Sequence, residues 1–395
     1  MTRALSAATL IAALLFLGAV LGACAPANDD IRVIQSGGPV FEVTARGGST
    51  VKAVPQPQGR GIMVLEGGGS YLDPATELMV VHAGEKPVLC LIDTAADGKG
   101  DPYDRFDAFD GVEMLTLNIT PDTNDDPIVL EALRRCTGYY FNGGNPELLS
   151  KGLLVGGHDS PALAIIRQRH ESAGAVVGGT SAGAMIVGPV TLCECSSKSS
   201  IGALTTGTLY QAPAFRFTDN VLIDAHFFTH GLIGRELYAL AKTGLPASVG
   251  IDETTAVVVP GDGGLWQVIG ASAVAFVQRG PDASTTRLTG FTLSLLNAGD
   301  RFDPVSGHVA MASVRKQQAV ANDPAAGPLQ MGGIFDSDTF HRMISSFALA
   351  PNPVAHGYAE SQGLVITLRK RRDTMVYGDP GAVSVLNVDI EITHY

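Results

Sequence analysis

The chain has 395 residues, of which 45% are hydrophobic and 17% charged, and 47 are glycines. This composition is too apolar for a disordered chain, and the absence of a Gly-X-Y period excludes a collagen. The formal charge of −12 argues against a nucleic-acid partner. The densest basic cluster, Arg369–Arg372, is more typical of a solvated strand end. The length allows one large domain or two.

Residues 1–23 read as a signal peptide, with a basic start followed by the apolar run Leu10–Val20. This run is too short to span a bilayer comfortably. It ends at Cys24 in the letters LGAC, which resemble a bacterial lipobox. We therefore expect an exported, membrane-anchored lipoprotein, periplasmic or on the outer cell surface, with the lipid on Cys24. An ordinary signal peptide cleaved near Ala23 or Ala25 is the alternative.

Residues 24–60 are rich in Gly, Pro, Ser and Asn and predict a tether with an edge hairpin. From residue 61, short apolar strands alternate with helices, which is the pattern of a parallel sheet covered on both faces. The predicted elements are strands at Ile62–Leu65, Val88–Ile92, Val112–Leu117, Tyr139–Phe141 and Ala173–Val177, with helices at Pro127–Arg135 and Ser160–Ser172. We place this α/β core at residues 61–279.

Residues 280–395 predict a β-rich extension or subdomain, because β-branched and alternating segments continue there without strong helices. The segments Leu265–Phe276, Thr285–Leu295 and Leu364–Ile366 carry this pattern, and residues 296–363 look rich in loops. Nothing in this region points to a chemical role.

The most informative motif is Gly179-x-Ser181-x-Gly183, which lies between a buried strand and a predicted helix. A serine on such a sharp strand-to-helix turn projects its hydroxyl above the sheet, and small neighbours let substrate approach. Ser181 is therefore the candidate nucleophile, and the N–H of Ala182 a candidate oxyanion donor. Gly68, in the glycine turn after the first core strand, is the second candidate donor. The alternative for that turn is a phosphate site, but a Gly-x-Gly-x-x-Gly dinucleotide motif is absent.

A catalytic serine needs a base and a group that orients the base. His226 follows the apolar strand Val221–Ile223 and is the candidate base. His230 lies four residues further on, so a metal pair is an alternative, although the sequence indicates no third ligand. The acid is open among four residues, Glu194, Asp224, Asp252 and Glu253. Asp224 is awkwardly close to His226 for pairing, but it suits a substrate amine.

In these features the sequence resembles the cyanophycinase family of serine peptidases, relatives of dipeptidase E with a class I glutamine amidotransferase-like fold. The matching blocks run in order through about residues 61–260: Gly67–Gly69, Phe141–Asn145, Gly179–Ala184, Asp224–Phe227 with Gly234-Arg235, and Gly250–Ala256. The resemblance implies a hydrolase with a flavodoxin-like, doubly wound, mostly parallel sheet and a nucleophile elbow. Cyanophycinases cut the β-aspartyl–arginine isopeptide bonds of a storage polymer.

The resemblance also implies roles for individual residues. The family's acid lies between the nucleophile helix and the histidine strand, and this selects Glu194, with Glu253 and Asp252 as alternatives. Asn145, Asp224 and Arg235 fall at substrate-binding positions. The resemblance implies no metal and no organic cofactor, and a peptide or isopeptide substrate. It leaves a homodimer open.

Departures from the family predict an altered substrate pocket. The family's Asp-Gln-His-Phe has Ala225 in place of Gln, and two of three following arginines are His230 and Leu232. Losing paired polar contacts costs orders of magnitude in specificity. The alternatives to an isopeptidase are a catalytically silent surface protein that binds peptides, and an esterase with the same triad.

The cysteines other than Cys24 are Cys90, Cys136, Cys193 and Cys195. An even count permits disulfides in an oxidising compartment, although Cys90 lies in an apolar run that equally suits a buried thiol. A Cys193–Cys195 or other disulfide could hold the loop that contains Glu194.

Overall fold

The computed structural model describes residues 43–46, 56, 58–312, 315–379 and 382–395. The predicted signal peptide, Cys24 and most of the predicted tether lie outside the described residues. Of the predicted edge hairpin, the structure describes Val43–Arg46, a strand at the edge of a sheet. No helix of the described part of the chain is long and apolar enough to cross a membrane.

The described residues form two large sheets and eight α-helices. The strands are β1 (Val43–Arg46), β2 (Met63–Glu66), β3 (Val88–Ile92), β4 (Val112–Leu117), β5 (Gly138–Phe141), β6 (Leu154–Val155), β7 (His158–Asp159), β8 (Val176–Thr180), β9 (Val190–Leu192), β10 (Gln211–Pro213), β11 (Val221–Ala225), β12 (Ala247–Ile251), β13 (Thr255–Val259), β14 (Trp266–Gly270), β15 (Ala273–Arg279), β16 (Leu288–Asn297), β17 (Arg301–Phe302), β18 (Val309–Ala310), β19 (Gln317–Gln318), β20 (Leu329–Met331), β21 (Val354–Ala359), β22 (Leu364–Asp379) and β23 (Ala382–His394). The helices are α1 (Asp73–His82), α2 (Pro127–Arg135), α3 (Pro146–Leu153), α4 (Pro161–Ala173), α5 (Ala182–Met185), α6 (Ser197–Thr206), α7 (Ile233–Thr243) and α8 (Thr339–Leu349).

The first sheet confirms the predicted α/β class. Its strand order is β1-β4-β3-β5-β8-β2-β13-β14-β17-β18, and the five strands from β4 to β2 run parallel. Antiparallel strands flank this parallel centre on both sides, so the whole sheet is mixed. The ends of β2, β5 and β8 therefore lie at one edge, where α/β sheets place their sites.

Helices cover both faces of the parallel centre, as its uninterrupted apolar strands predict. On one face, Met79 of α1 shares a buried cluster with Val64 and Tyr140. On the other face, α2 and α4 contribute Leu133 and Ile166 to a second cluster. The centre is therefore doubly wound.

The second sheet has the order β11-β12-β15-β16-β23-β22-β21-β20, and β19 also pairs with β22. Strands β11 and β12 run parallel, and the rest of this path is antiparallel except for the pair β20–β21. Helices α7 and α8 cover one face through residues such as Leu237 and Phe347. From the other face, Val249 and Phe276 join the buried cluster that contains Leu65 of the first sheet.

Residues 280–395 are β-rich, as predicted, but they form no separate sheet: most of their strands continue the second sheet, and β17 and β18 extend the first. The predicted boundary at residue 279 falls at the turn between β15 and β16, which pair antiparallel. Strand β15 pairs with β12, and β16 pairs with β15, so the extension lengthens the sheet that contains β11 and β12. The region also contains α8, which the sequence analysis did not predict.

Candidate active site

Ser181 sits on the turn from β8 to α5, as the sequence predicts. Its backbone has φ 53° and ψ −121°, a conformation that a non-glycine residue rarely adopts outside functional sites. Gly179 and Gly183 make the turn possible. A Cβ on Gly179 would lie 2.5 Å from the carbonyl oxygen of Gly183, and a Cβ on Gly183 would lie 1.9 Å from that of Phe141.

His226 follows β11 and reaches the serine from the second sheet. Its Nε2 lies 2.9 Å from Oγ of Ser181. Its backbone N–H donates to the carbonyl of Gly67 at 2.8 Å, which ties the histidine loop to the glycine turn after β2. The two residues selected as nucleophile and base are therefore brought together, although they come from different sheets.

The acid beside His226 is Glu253, and the expectation of Glu194 is corrected. Oε1 of Glu253 lies 2.7 Å from Nδ1 of His226. Glu253 follows β12, which pairs in parallel with β11, so the two loops emerge at the same edge. Glu194 lies in the loop after β9 with φ 65°, and its carbonyl accepts a hydrogen bond from Arg235 at 2.7 Å.

Asp252 shapes the histidine loop. Its Oδ1 accepts hydrogen bonds from the N–H groups of Phe228 and Thr229, at 3.0 and 2.9 Å. Its Oδ2 accepts from the hydroxyl of Ser272 at 2.6 Å. The hydroxyl of Thr229 also donates to Oδ1, at 3.0 Å. The carboxylate is buried and bonded to the histidine loop and to Ser272, so Asp252 is a loop anchor and not the acid beside the base.

Asp224 and Arg235 are not placed to bind substrate, and these two predictions are corrected. Both side chains are 0% exposed and form a bidentate ion pair, with Nε of Arg235 2.9 Å from Oδ2 of Asp224. Arg235 also donates to the carbonyls of Cys193 and Glu194, at 3.3 and 2.7 Å. A buried charge needs such a partner, and here the pair braces the loop after β9.

Asn145 has a structural position. Its side-chain oxygen accepts the N–H of Glu147 at 3.0 Å and caps α3. Gly143 is the residue of this glycine-rich turn that approaches the nucleophile, because a Cβ there would lie 3.3 Å from Cβ of Ser181. The sequence motif flagged the turn, but it could not tell which of its residues faces the serine.

The two predicted oxyanion donors flank the pair Ser181–His226. Ala182 is the first residue of α5 and directly follows the serine. Gly68 has φ 99°, and a Cβ there would lie 2.2 Å from Cε1 of His226. The turn after β2 therefore packs against the imidazole, and only glycine leaves room for the ring. The oxyanion role of both residues stays a prediction.

A cleft of about 750 Å³ opens over His226 and Glu253. One wall comes from the loop after β9, through Cys195–Ser197. Another wall comes from Phe335–Ser337, between β20 and α8. The C-terminal region thus contributes to the cleft, which sequence reasoning missed because the contact is tertiary.

His230 also lines the cleft. Its ring stacks on that of His226, with centroids 4.6 Å apart and planes 6° from parallel. Its Nε2 lies 3.7 Å from Oε1 of Glu253. Burial lowers the pKa of His230, and the neighbouring His226 lowers it further. Glu253 thus supplies the third candidate metal ligand that the sequence did not indicate.

The structure settles the cysteine alternatives in part. Cys90 and Cys136 form a disulfide between β3 and the end of α2. Cys193 is a buried thiol, and burial raises its pKa to about 12. The loop that contains Glu194 is therefore held by Arg235 and not by a disulfide at Cys193.

The sequence profile described as peptidase family S51 matches residues 65–265. A cyanophycinase of Synechococcus elongatus is 30% identical over 166 residues, which cover 42% of this chain and 49% of that protein. A cyanophycinase of Geminocystis herdmanii (strain PCC 6308) is 28% identical over 199 residues, covering 48% and 70%. The match to the first spans about half of that relative's length.

A solved peptidase from an acI-B1 actinobacterium is similar at 21% identity. It covers 63% of this chain and 98% of its own, with a TM-score of 0.48.

Proposed function

Because the chain belongs to peptidase family S51, we propose that it hydrolyses an amide or isopeptide bond with Ser181 as nucleophile, His226 as base and Glu253 as the acid that orients the base. The family match and the cyanophycinase relatives make it a serine-type peptidase. One observation carries the assignment of roles. The two ring nitrogens of His226 lie 2.9 Å from the serine hydroxyl and 2.7 Å from the carboxylate.

The proposed reaction follows from these contacts. Nε2 of His226 takes the hydroxyl proton as Ser181 attacks the carbonyl carbon, and the resulting imidazolium gives the proton to the leaving amine. Glu253 accepts the Nδ1–H, which fixes the tautomer that leaves Nε2 free to act as the base. An acyl-enzyme forms on Ser181, and water activated by the same histidine releases it.

The N–H of Ala182 and the N–H of Gly68 are the proposed oxyanion donors. Gly143 supplies a competing second donor, because its turn also approaches Ser181. Gly68→Ala cannot decide between them, because it also displaces His226. The inserted Cβ at Gly143 lies at 3.3 Å from Ser181, so Gly143→Ala changes the approach to the serine with a smaller steric conflict. Because alanine keeps the backbone N–H, a large drop in kcat for Gly143→Ala would show that the Gly143 turn borders the reacting carbonyl, and not that its N–H is the donor.

For the substrate, we propose a β-aspartyl-type amide held in a pocket that differs from that of the cyanophycinases. Two positions support the altered pocket. His230 lines the cleft where the family motif has arginine, and Leu232 at another arginine position is fully buried. Arg235, which matches the family, is paired with Asp224 and does not reach the cleft. Residues 230, 232 and 235 therefore place no guanidinium group in the cleft that could bind a polymer.

The experiment is a hydrolysis screen over β-aspartyl dipeptides, α-dipeptides and simple esters, with the purified chain and its Ser181→Ala variant. We expect an amide class to be cleaved, with a loss on the order of 10³-fold or more in Ser181→Ala. Ester cleavage alone would favour the esterase. A folded protein that binds peptides but cleaves neither class would favour the silent binding protein. Equal activity of Ser181→Ala would contradict the proposal.

We also propose export as a lipoprotein anchored through Cys24. The lipobox-like letters before Cys24 support it, and the Cys90–Cys136 disulfide is compatible with an oxidising compartment. Membrane fractionation of cells that express the full chain tests this. Wild type should partition with membranes and Cys24→Ser should not; equal partitioning would contradict a lipid on Cys24. Light scattering on the purified chain used for the hydrolysis screen tests the homodimer.

A further inference from the structure

A second imidazole next to the triad has no part in the proposed reaction. His226 and His230 lie on one turn of backbone, because the N–H of His230 donates to the carbonyl of His226 at 2.8 Å. This turn stacks the two rings and directs one nitrogen of each toward Glu253. Asp252 fixes the intervening residues Phe228 and Thr229. The arrangement is thus built into the loop.

We propose that His226, His230 and Glu253 form a site for Zn²⁺ or a similar borderline-soft divalent cation, and that the bound ion switches the triad off. The binding part stands on the geometry alone, whereas the inhibitory part rests on the proposed function. Two imidazoles and one carboxylate are typical zinc ligands, and imidazole is a poor ligand for Mg²⁺ and Ca²⁺.

The distances suit a tetrahedral ion. Bonds of about 2.0–2.1 Å place the ligand atoms of such an ion about 3.3 Å apart. Oε1 of Glu253 lies 2.7 Å from Nδ1 of His226 and 3.7 Å from Nε2 of His230. The candidate ligand atoms of the three residues all lie within 4.8 Å of one another. Relative to Glu253, each imidazole nitrogen would have to move by about half an ångström. Because the two rings are stacked with their planes 6° from parallel, one ring must also turn so that both nitrogen lone pairs point at the ion. The cleft leaves the fourth position to water.

Occupancy would disable the base through its tautomer. In the triad, Nδ1 of His226 carries the proton and Nε2 has the lone pair that accepts the proton of Ser181. A metal on Nδ1 takes the lone pair there, so the ring proton moves through solvent to Nε2, with no net change in protons. Nε2–H can then only donate to Ser181. The ion also draws Glu253 away from its orienting role.

The first test measures binding without catalysis. ZnCl₂ is titrated calorimetrically into the chelator-treated full chain that carries Ser181→Ala. We expect one ion per chain, and binding at least tenfold weaker after the additional change His230→Ala or His230→Gln. His158→Ala, at an exposed histidine in β7, is the matched control and should bind as tightly as the parent. No binding by the parent, or equal affinity after both His230 changes, would overturn the site.

Cys195 also lines the cleft, so a thiolate site is the competing explanation. Cys195→Ser should leave the affinity for Zn²⁺ within about threefold of that of the parent. Loss of zinc binding in Cys195→Ser, together with unchanged zinc binding in His230→Gln, would overturn the proposal. Circular dichroism of each variant confirms its fold.

The second test uses an active substrate. Zn²⁺ should inhibit wild type reversibly, and Mg²⁺ should not. In His230→Gln, with inhibition measured against that variant's own zinc-free rate, the inhibition constant for Zn²⁺ should be at least tenfold higher than in wild type. Hydrolysis without zinc inhibition would contradict the inhibitory part alone. Zinc binding without hydrolysis of any substrate would leave the site standing and contradict the proposed function.

Discussion

Oε1 of Glu253 lies 2.7 Å from Nδ1 of His226, although the two residues are 27 positions apart in sequence. The contact exists because each residue follows one of two neighbouring parallel strands, β12 and β11. It moves the acid of the candidate triad from the loop after β9 to the loop after β12.

Glu253→Gln should reduce kcat/KM by on the order of 10³-fold, because a neutral amide no longer favours the Nδ1–H tautomer or the imidazolium. Glu194→Gln is the matched control, since the side chain of Glu194 lies in another loop. The kcat/KM of this variant should stay within about threefold of the wild-type value. Steady-state kinetics on the same substrate measure both. A large loss of kcat/KM in Glu194→Gln and a small one in Glu253→Gln would instead identify Glu194 as the acid.

Gly68→Ala should abolish measurable hydrolysis, because the added Cβ would lie 2.2 Å from Cε1 of His226 and push the ring away from Ser181. Gly244→Ala is the matched control. Gly244 also has positive φ, at 75°, but its Cβ would meet nothing within 4 Å. We expect this control to lose some stability and keep its kcat. Comparable kcat losses in both variants would show that backbone strain, and not contact with His226, is responsible.

Asp224→Asn should destabilise the fold by about 3–5 kcal/mol, because it leaves the buried guanidinium of Arg235 without its anionic partner. Urea denaturation measures the free energy of unfolding. The control is Glu391→Gln, which removes an ion pair with Arg369 that is 30–50% exposed and should cost less than about 1 kcal/mol. An unchanged stability together with a raised KM would return Asp224 to the substrate site.

Stability should fall with acidity through His170. Burial lowers its pKa to about 4, and the neutral ring contacts the carbonyl of Ala175 and accepts from Nε of Arg60. The unfolded chain binds this proton below its ordinary pKa of about 6.5, whereas the folded chain does not until about pH 4. The contribution is therefore complete above pH 6.5 and is lost as the pH falls toward 4.

Between pH 7 and pH 5 this group should remove about 2 kcal/mol from the free energy of unfolding. His170→Gln should be less stable at pH 7 but lose about 2 kcal/mol less over the same interval. Urea titrations at both pH values give the difference. Parallel losses in the two proteins would show that His170 does not titrate in this way.

The sequence could predict the parts of the site that depend on local structure. A glycine-flanked serine between an apolar strand and a helix determines its own backbone geometry, so Ser181 needed no tertiary information. His226 was selected because it follows a buried strand. The acid could not be selected in this way, because the pairing of β11 with β12 decides which carboxylate meets the ring.

Burial was the second limit. Asp224 and Arg235 look like polar site residues in the sequence, and only the folded structure reveals that both side chains are fully enclosed and paired with each other. In the C-terminal region the β pattern was visible, but its membership in the sheet of β11 was not. Helix α8 did carry a helical signal, with Phe340, Met343, Ile344 and Phe347 at a helical spacing.

The central claim is that Ser181 is a nucleophile activated by His226, and covalent labelling tests it without knowledge of the substrate. The purified chain is incubated with a fluorophosphonate, and the adduct is located by intact-mass and peptide mass spectrometry. The account predicts one adduct, on Ser181, that is absent from Ser181→Ala and slower to form in His226→Ala. A folded wild-type protein that stays unlabelled, or equal labelling of Ser181→Ala, would contradict it.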